Sequence, residues 1–132
     1  MTPDSSASNT NEPLTSEAFA SEVGSLLTHR HCEDVVVLNV TGLSQVCDYV
    51  VVATGTSDRQ MKSVASEVSI LGRDQDFPAF RKSVDNDATW IVVDFISVVV
   101  HLFEPQRRAY YDLEDLWSDA KRIEVPAGSA TT

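Results

Sequence analysis

Trp90-Ile91-Val92-Val93-Asp94-Phe95-Ile96-Ser97-Val98-Val99-Val100-His101-Leu102-Phe103 is the stretch on which the fold turns. Two β-branched apolar runs, Trp90 to Asp94 and Val98 to Phe103, are separated only by Phe95, Ile96 and Ser97. That spacing predicts an antiparallel hairpin. Successive side chains of a strand point to opposite faces, so Trp90, Val92 and Asp94 share one face and Ile91, Val93 and Phe95 the other. The Trp90 face ends in a carboxylate, which predicts that it meets solvent at one end.

The same reasoning extends upstream. Val35 to Val40 and Tyr49 to Thr54 are short β-branched runs, too apolar for exposed edges, and read as buried strands. Between Thr54 and Leu71 the period changes. Ser57 with Gln60 forms the Ser-x-x-Gln capping box, and Met61, Val64, Ala65, Val68 and Leu71 follow on one helical face, with Gly72 as a stop. Phe19, Val23, Leu26 and Leu27 mark an earlier helix over Ser16 to His29, capped by Thr15 or Ser16. Arg73 to Ala88 is polar, and within it Pro78 confines Phe77 to Phe80 to a sheet edge or an irregular strand. Downstream, Leu113, Leu116, Trp117 and Ala120 predict a last helix over Asp112 to Ala120, with Asp112 as its cap. The order of elements implies an α/β (α+β) fold, a mixed sheet of about five strands packed by helices.

The chain has 132 residues, enough for one domain. Residues 15–125 form it; residues 1–14 and 126–132 are polar stretches with little to bury and read as disordered tails. No apolar run spans a bilayer, and the N-terminus has neither a secretory nor an Arg-rich transit pattern, so a cytoplasmic location is expected. Cys32 and Cys47 make no disulfide framework and no Cys-x-x-Cys pair, and read as reduced, partly buried thiols. The formal net charge of −10 disfavours direct binding to phosphate backbones and suits a basic protein partner.

Several residues are of types that could carry chemistry. Asp74-x-Asp76 and Asp85-x-Asp87 have the look of paired carboxylates for a metal-dependent transferase, but both lie in a polar stretch rather than on a rigid strand. Gly55-Thr56-Ser57 at a strand-to-helix turn is placed to receive a phosphate, yet lacks the P-loop Lys and the Gly-x-Gly-x-x-Gly spacing. A nucleotide-binding protein or nucleotidyltransferase built on these residues is therefore the alternative reading. His29 and His31 do not share a helix face, and His101, between Val100 and Leu102, reads as a locally hydrogen-bonded imidazole. No catalytic, cofactor or metal residues emerge. The late aromatics stand out instead: Trp90, Phe95, Phe103, Tyr110, Tyr111 and Trp117. Trp and Tyr dominate protein interfaces. Trp90 and Tyr111 read as interface residues; for Trp117, core filling and interface stand equal. Exposed aromatics are also compatible with a homodimer in the free protein.

Asp48 to Ser57, Trp90 to Asp94, Val98 to Phe103 and Arg108-Ala109-Tyr110-Tyr111-Asp112-Leu113-Glu114-Asp115-Leu116-Trp117 together resemble the ribosomal silencing factor family, also called the Iojap family. The resemblance spans about Glu17 to Val125. It implies a nucleotidyltransferase-like topology without the catalytic carboxylates, and a non-enzymatic repressor of translation. It further implies docking onto the large ribosomal subunit through ribosomal protein number fourteen, which blocks subunit joining when nutrients are scarce. Carried over position by position, it implies that Trp90, Phe95 and Tyr111 lie on the contact face, with Arg108, Glu114 and Asp115 as polar partners at its rim. Asp48, Gly55, Ser57 and His101 also match family positions. The sequence departs where the family has Tyr-Gly or Leu-Gly and this chain has Phe95-Ile96, and where the family has Glu-Gly and this chain has Ser83-Val84-Asp85. An Ile cannot adopt positive φ as cheaply as Gly, so a different hairpin turn is expected.

Overall fold

The computed structural model describes residues 14–125. The expected tails lie outside the described residues except for Leu14, which packs partly buried against the core.

Among the described residues, six strands form one mixed sheet in the order β3-β4-β5-β2-β1-β6. They are β1 (Glu33–Asn39), β2 (Tyr49–Thr54), β3 (Arg81–Val84), β4 (Trp90–Asp94), β5 (Val98–Phe103) and β6 (Lys121–Ile123). Only β2 and β5 pair in parallel, Tyr49 opposite Val98 through Thr54 opposite Phe103; the other pairings are antiparallel. The parallel pair is the centre of the sheet because its connection carries helix α2 (Asp58–Asp74) and the β3–β4 pair, long enough for a crossover.

Helix α1 (Ser16–His29) and α2 cover one face. Thr15 caps α1, its hydroxyl accepting from the Ala18 amide at 3.1 Å. Ser57 caps α2 in the expected box: its hydroxyl accepts from the Gln60 amide, and the Gln60 side chain accepts from the Thr56 amide, both at 3.0 Å. Phe19, Val23 and Leu27 meet Met61, Val64 and Val68 over Val51, Ile91 and Val100, all buried in one cluster. The opposite face carries a smaller cluster, Leu38, Val50, Val52 and Phe103, roofed by Leu113, Trp117 and Ala120.

Three expectations needed correction. The edge strand is Arg81–Val84, not Phe77 to Phe80. Phe77 is drawn inward, its ring stacking on Phe19 at 4.4 Å and its amide reaching the Gly72 carbonyl, so ladder pairing begins only where the Phe80 amide meets the Asp94 carbonyl. The last helix over Asp112 to Ala120 is replaced by two short helices, α3 (Pro105–Tyr111) and α4 (Leu113–Leu116). Glu104 caps α3 by accepting from the Arg107 amide at 2.8 Å, with Pro105 at the first helical position, where its missing N–H costs nothing. Asp112 then takes a left-handed conformation, φ 44°, and bends the chain rather than capping it. The bend leaves Leu116 67% exposed, whereas Leu113 and Trp117 still pack. Finally, β6 adds a sixth strand at the β1 edge.

Candidate functional site

The two faces of the sheet are unequally covered. On the side away from α1 and α2, the α3–α4 corner shields Phe103, Val50 and Val52, but the hairpin half is left partly open. Register brings Trp90 opposite Phe103, Val92 opposite His101 and Asp94 opposite Val99, and Trp90, Val92, Asp94, Val99 and His101 are all only half-buried.

Trp90 is fixed rather than loose. Its indole N–H donates to Nδ1 of His101 at 3.1 Å, and its ring lies 5.0 Å from Phe103 and 4.6 Å from Tyr111. An Nδ1 that accepts must be unprotonated, so the imidazole proton sits on Nε2. Burial drives the His101 pKa down to about 4, against the weaker pull of Asp94, so the ring is neutral at pH 7 and stays a competent acceptor. Tyr111 closes the stack from above and remains 44% exposed. Tyr110, more exposed still, meets it edge-on at 5.1 Å. The result is a rigid aromatic surface whose groups are already ordered, which lowers the entropic cost of docking.

The expected site residues separate on this geometry. Trp90 and Tyr111 come together, and Asp115 is exposed on α4. Phe95 is corrected: it is 4% exposed, on the helix-covered side, with its ring edge-on to Phe19 at 5.0 Å. Strand alternation requires this, since Phe95 follows Ile91 and Val93 into the core. Arg108 and Glu114 are engaged internally. The guanidinium Nε and Nη2 donate to the Glu114 carboxylate at 3.2 and 2.9 Å, and Nη1 donates to the Thr54 hydroxyl at 2.8 Å. The Arg108 side chain is 11% exposed. The pair spans the Asp112 bend and ties α3 and α4 to the end of β2, so it holds the corner that presents Tyr111. Hydrogen bonding to Arg108 keeps the Glu114 carboxyl below its usual range.

The residues of the alternative reading are also placed. The Gly55-Thr56-Ser57 turn carries the Gln60 cap on its Thr56 amide, and a Cβ on Gly55 would clash with the Met61 side chain. Asp85 spends its carboxylate on the β3–β4 turn, accepting from the Thr89 and Trp90 amides. Desolvation pushes its carboxyl upward, but the hydrogen bonds from Thr89 and Trp90 together outweigh it and hold the group below the ordinary range. Asp76 has φ 66° beyond the end of α2. Cys32 and Cys47 are free and buried, and burial raises both thiols. No helix among the described residues is long and apolar enough to cross a membrane.

Sequence reasoning missed the surface roles open to Tyr110 and Leu116. The exposure of Leu116 follows from the left-handed Asp112, for which the Tyr-Asp-Leu sequence offers only the tolerance of Asp for that conformation.

Residues 13–132 match the family model described as ribosomal silencing factor during starvation. The chain belongs to the RsfS family. The ribosomal silencing factor RsfS of Bacillus subtilis is 33% identical over 99 residues, covering 75% of this chain and 84% of that protein. The chloroplastic protein Iojap of Zea mays is 31% identical over 112 residues, 83% of this chain and 47% of the longer plant protein. Among solved structures, a protein from Chromobacterium violaceum superposes with a TM-score of 0.75 at 26% identity, covering 86% of this chain and 93% of its own. The RsfS fold is thus the mixed α/β domain described above.

Proposed function

We propose that this RsfS-family chain represses translation by docking on the large ribosomal subunit, and that it does so without catalysis, in the cytoplasm. The contact is made by the open hairpin face, with Trp90 and Tyr111 as anchors and Asp115 at the rim. Its partner is ribosomal protein number fourteen, and the bound factor stands where the small subunit must join. The observation that carries the reading is the pre-ordered Trp90–His101–Tyr111 cluster on a sheet face that the fold leaves half open. Aromatic anchors in an ordered patch are what alanine scans identify as interface hot spots. The net charge of −10 suits a basic partner and speeds encounter with one.

Co-sedimentation with isolated large subunits tests it. Trp90→Ala and Tyr111→Ala should each weaken binding by about 2 kcal/mol, roughly thirtyfold. Wild-type co-sedimentation by both variants, each verified as folded, would overturn the assignment of this face.

A further inference from the structure

Ile96 is the outlier of the backbone. Among the described residues, six non-glycines have positive φ: His31, Asp34, Asp76, Ala88, Ile96 and Asp112. Asp and His tolerate that region through local hydrogen bonds, and Ala has little side chain to clash. Ile96, at φ 76°, is the β-branched member of the set, the residue type for which the conformation is most costly.

The surrounding turn leaves Ile96 little choice. The Ser97 amide donates to the Phe95 carbonyl at 3.0 Å, closing a three-residue γ-turn centred on Ile96. Its own amide donates to the Asp94 carboxylate at 2.7 Å. On one side Phe95 is buried against Phe19, with its amide on the Val98 carbonyl at 2.8 Å. On the other, the Ser97 carbonyl accepts from the Asp48 and Tyr49 amides, and its hydroxyl lies 3.0 Å from that of Ser16. Burial within the fold offsets little of that cost, because Ile96 is 60% exposed. A glycine or asparagine would close the same turn with less strain. Strain that the fold does not repay, held in place by neighbours that over-determine it, is characteristic of a functional position.

The position suits that role. The turn lies just beyond the Asp94–Val99 pair, which stands on the open face. Trp90 and Asp94 are four strand steps apart, roughly 13 Å. A standard footprint of about 800 Å² is roughly 30 Å across and reaches from one to the other.

We propose that Ile96 is a specificity-determining contact of this docking face, a rigidly presented apolar knob that enters an apolar depression on the protein that receives Trp90. The inference rests on the docking function proposed above, and it gives strain and affinity opposite signs. Ile96→Gly should raise the melting temperature by roughly 4 °C while weakening co-sedimentation with purified large subunits about tenfold. Ile96→Asn, polar but tolerant of the same φ, should stay folded and lose binding to a similar extent. Wild-type affinity in both variants would overturn the proposal while leaving the Trp90 and Tyr111 assignment intact. An unchanged or lowered melting temperature for Ile96→Gly would overturn it by removing the strain it rests on. Wild-type binding by Trp90→Ala in the same experiment would overturn the docking face and this contact together.

Discussion

Replacing Arg108 by Met keeps most of the apolar stem and removes the guanidinium that joins α3, α4 and β2. Four hydrogen bonds donated by the guanidinium disappear, two to the Glu114 carboxylate, one to the Thr54 hydroxyl and a long one to the Glu33 carbonyl. Thr54 is 4% exposed, and so has little water to turn to. A fully buried broken pair costs about 3–5 kcal/mol and an exposed one about 0–1. The Glu114 side chain is 24% exposed, which puts Arg108→Met between these limits, at about 2 kcal/mol. Glu114→Gln should cost about 1 kcal/mol, because one acceptor oxygen remains. Urea unfolding of the wild type, both single variants and the double variant closes a cycle whose coupling should be about 1 kcal/mol, with the slope on urea unchanged. The pH dependence supplies a second check. The folded Glu114 carboxyl is depressed, so the coupling is complete above its ordinary value of 4.5 and disappears as pH falls through the lower, folded value. Coupling below about 0.3 kcal/mol at pH 7, within the additivity expected of independent sites, would refute the latch. Coupling that does not change with pH as the carboxyl is titrated below 4.5 would refute its ionic character.

Two further perturbations probe the core and the aromatic stack. Phe95→Ala should destabilise the fold by about 3–5 kcal/mol, the cost of emptying a buried aromatic site, and a loss under about 1 kcal/mol in urea would contradict its place beside Phe19. His101 titrates near 4 in the fold and near 6.5 when unfolded, so between those values the unfolded chain holds more protons and stability falls as pH falls. His101→Gln keeps an acceptor for the Trp90 indole and removes that titration; stability measured from pH 7 to pH 4 should lose part of its slope, and an unchanged slope would refute the assignment.

Local periodicity carried much of the fold. Helices α1 and α2 were legible because Phe19, Val23 and Leu27, and then Met61, Val64 and Val68, recur at helical spacing behind recognisable caps. The hairpin was legible because three residues are too few for any other connection. Alternation alone put Phe95 opposite Trp90, and the structure agrees with alternation rather than with the contact role that the family resemblance suggested. The C-terminal region was less legible. Leu113, Leu116, Trp117 and Ala120 have helical spacing, but a single left-handed residue at Asp112 breaks the helix, and many Asp residues never adopt that conformation. Lys121 to Ile123 has no strand signal of its own and becomes β6 only because β1 offers an edge.

The sequence by itself determined which residues are apolar and at what period, and with them the mixed sheet, its two covering helices and membership of the RsfS family. It could not decide which charged and aromatic groups would be free, because that depends on neighbours distant in sequence. Arg108 looked like a rim contact until folding brought Thr54 to it, 54 residues away. Trp90 read as an interface residue, and only folding showed that His101 and Tyr111 hold its ring in place. Ile96 looked like a local change of turn until the anchoring of Phe95 and Ser97 on either side forced it to positive φ. Tertiary structure settled these because hydrogen bonds and burial are satisfied in space, whereas periodicity is written along the chain.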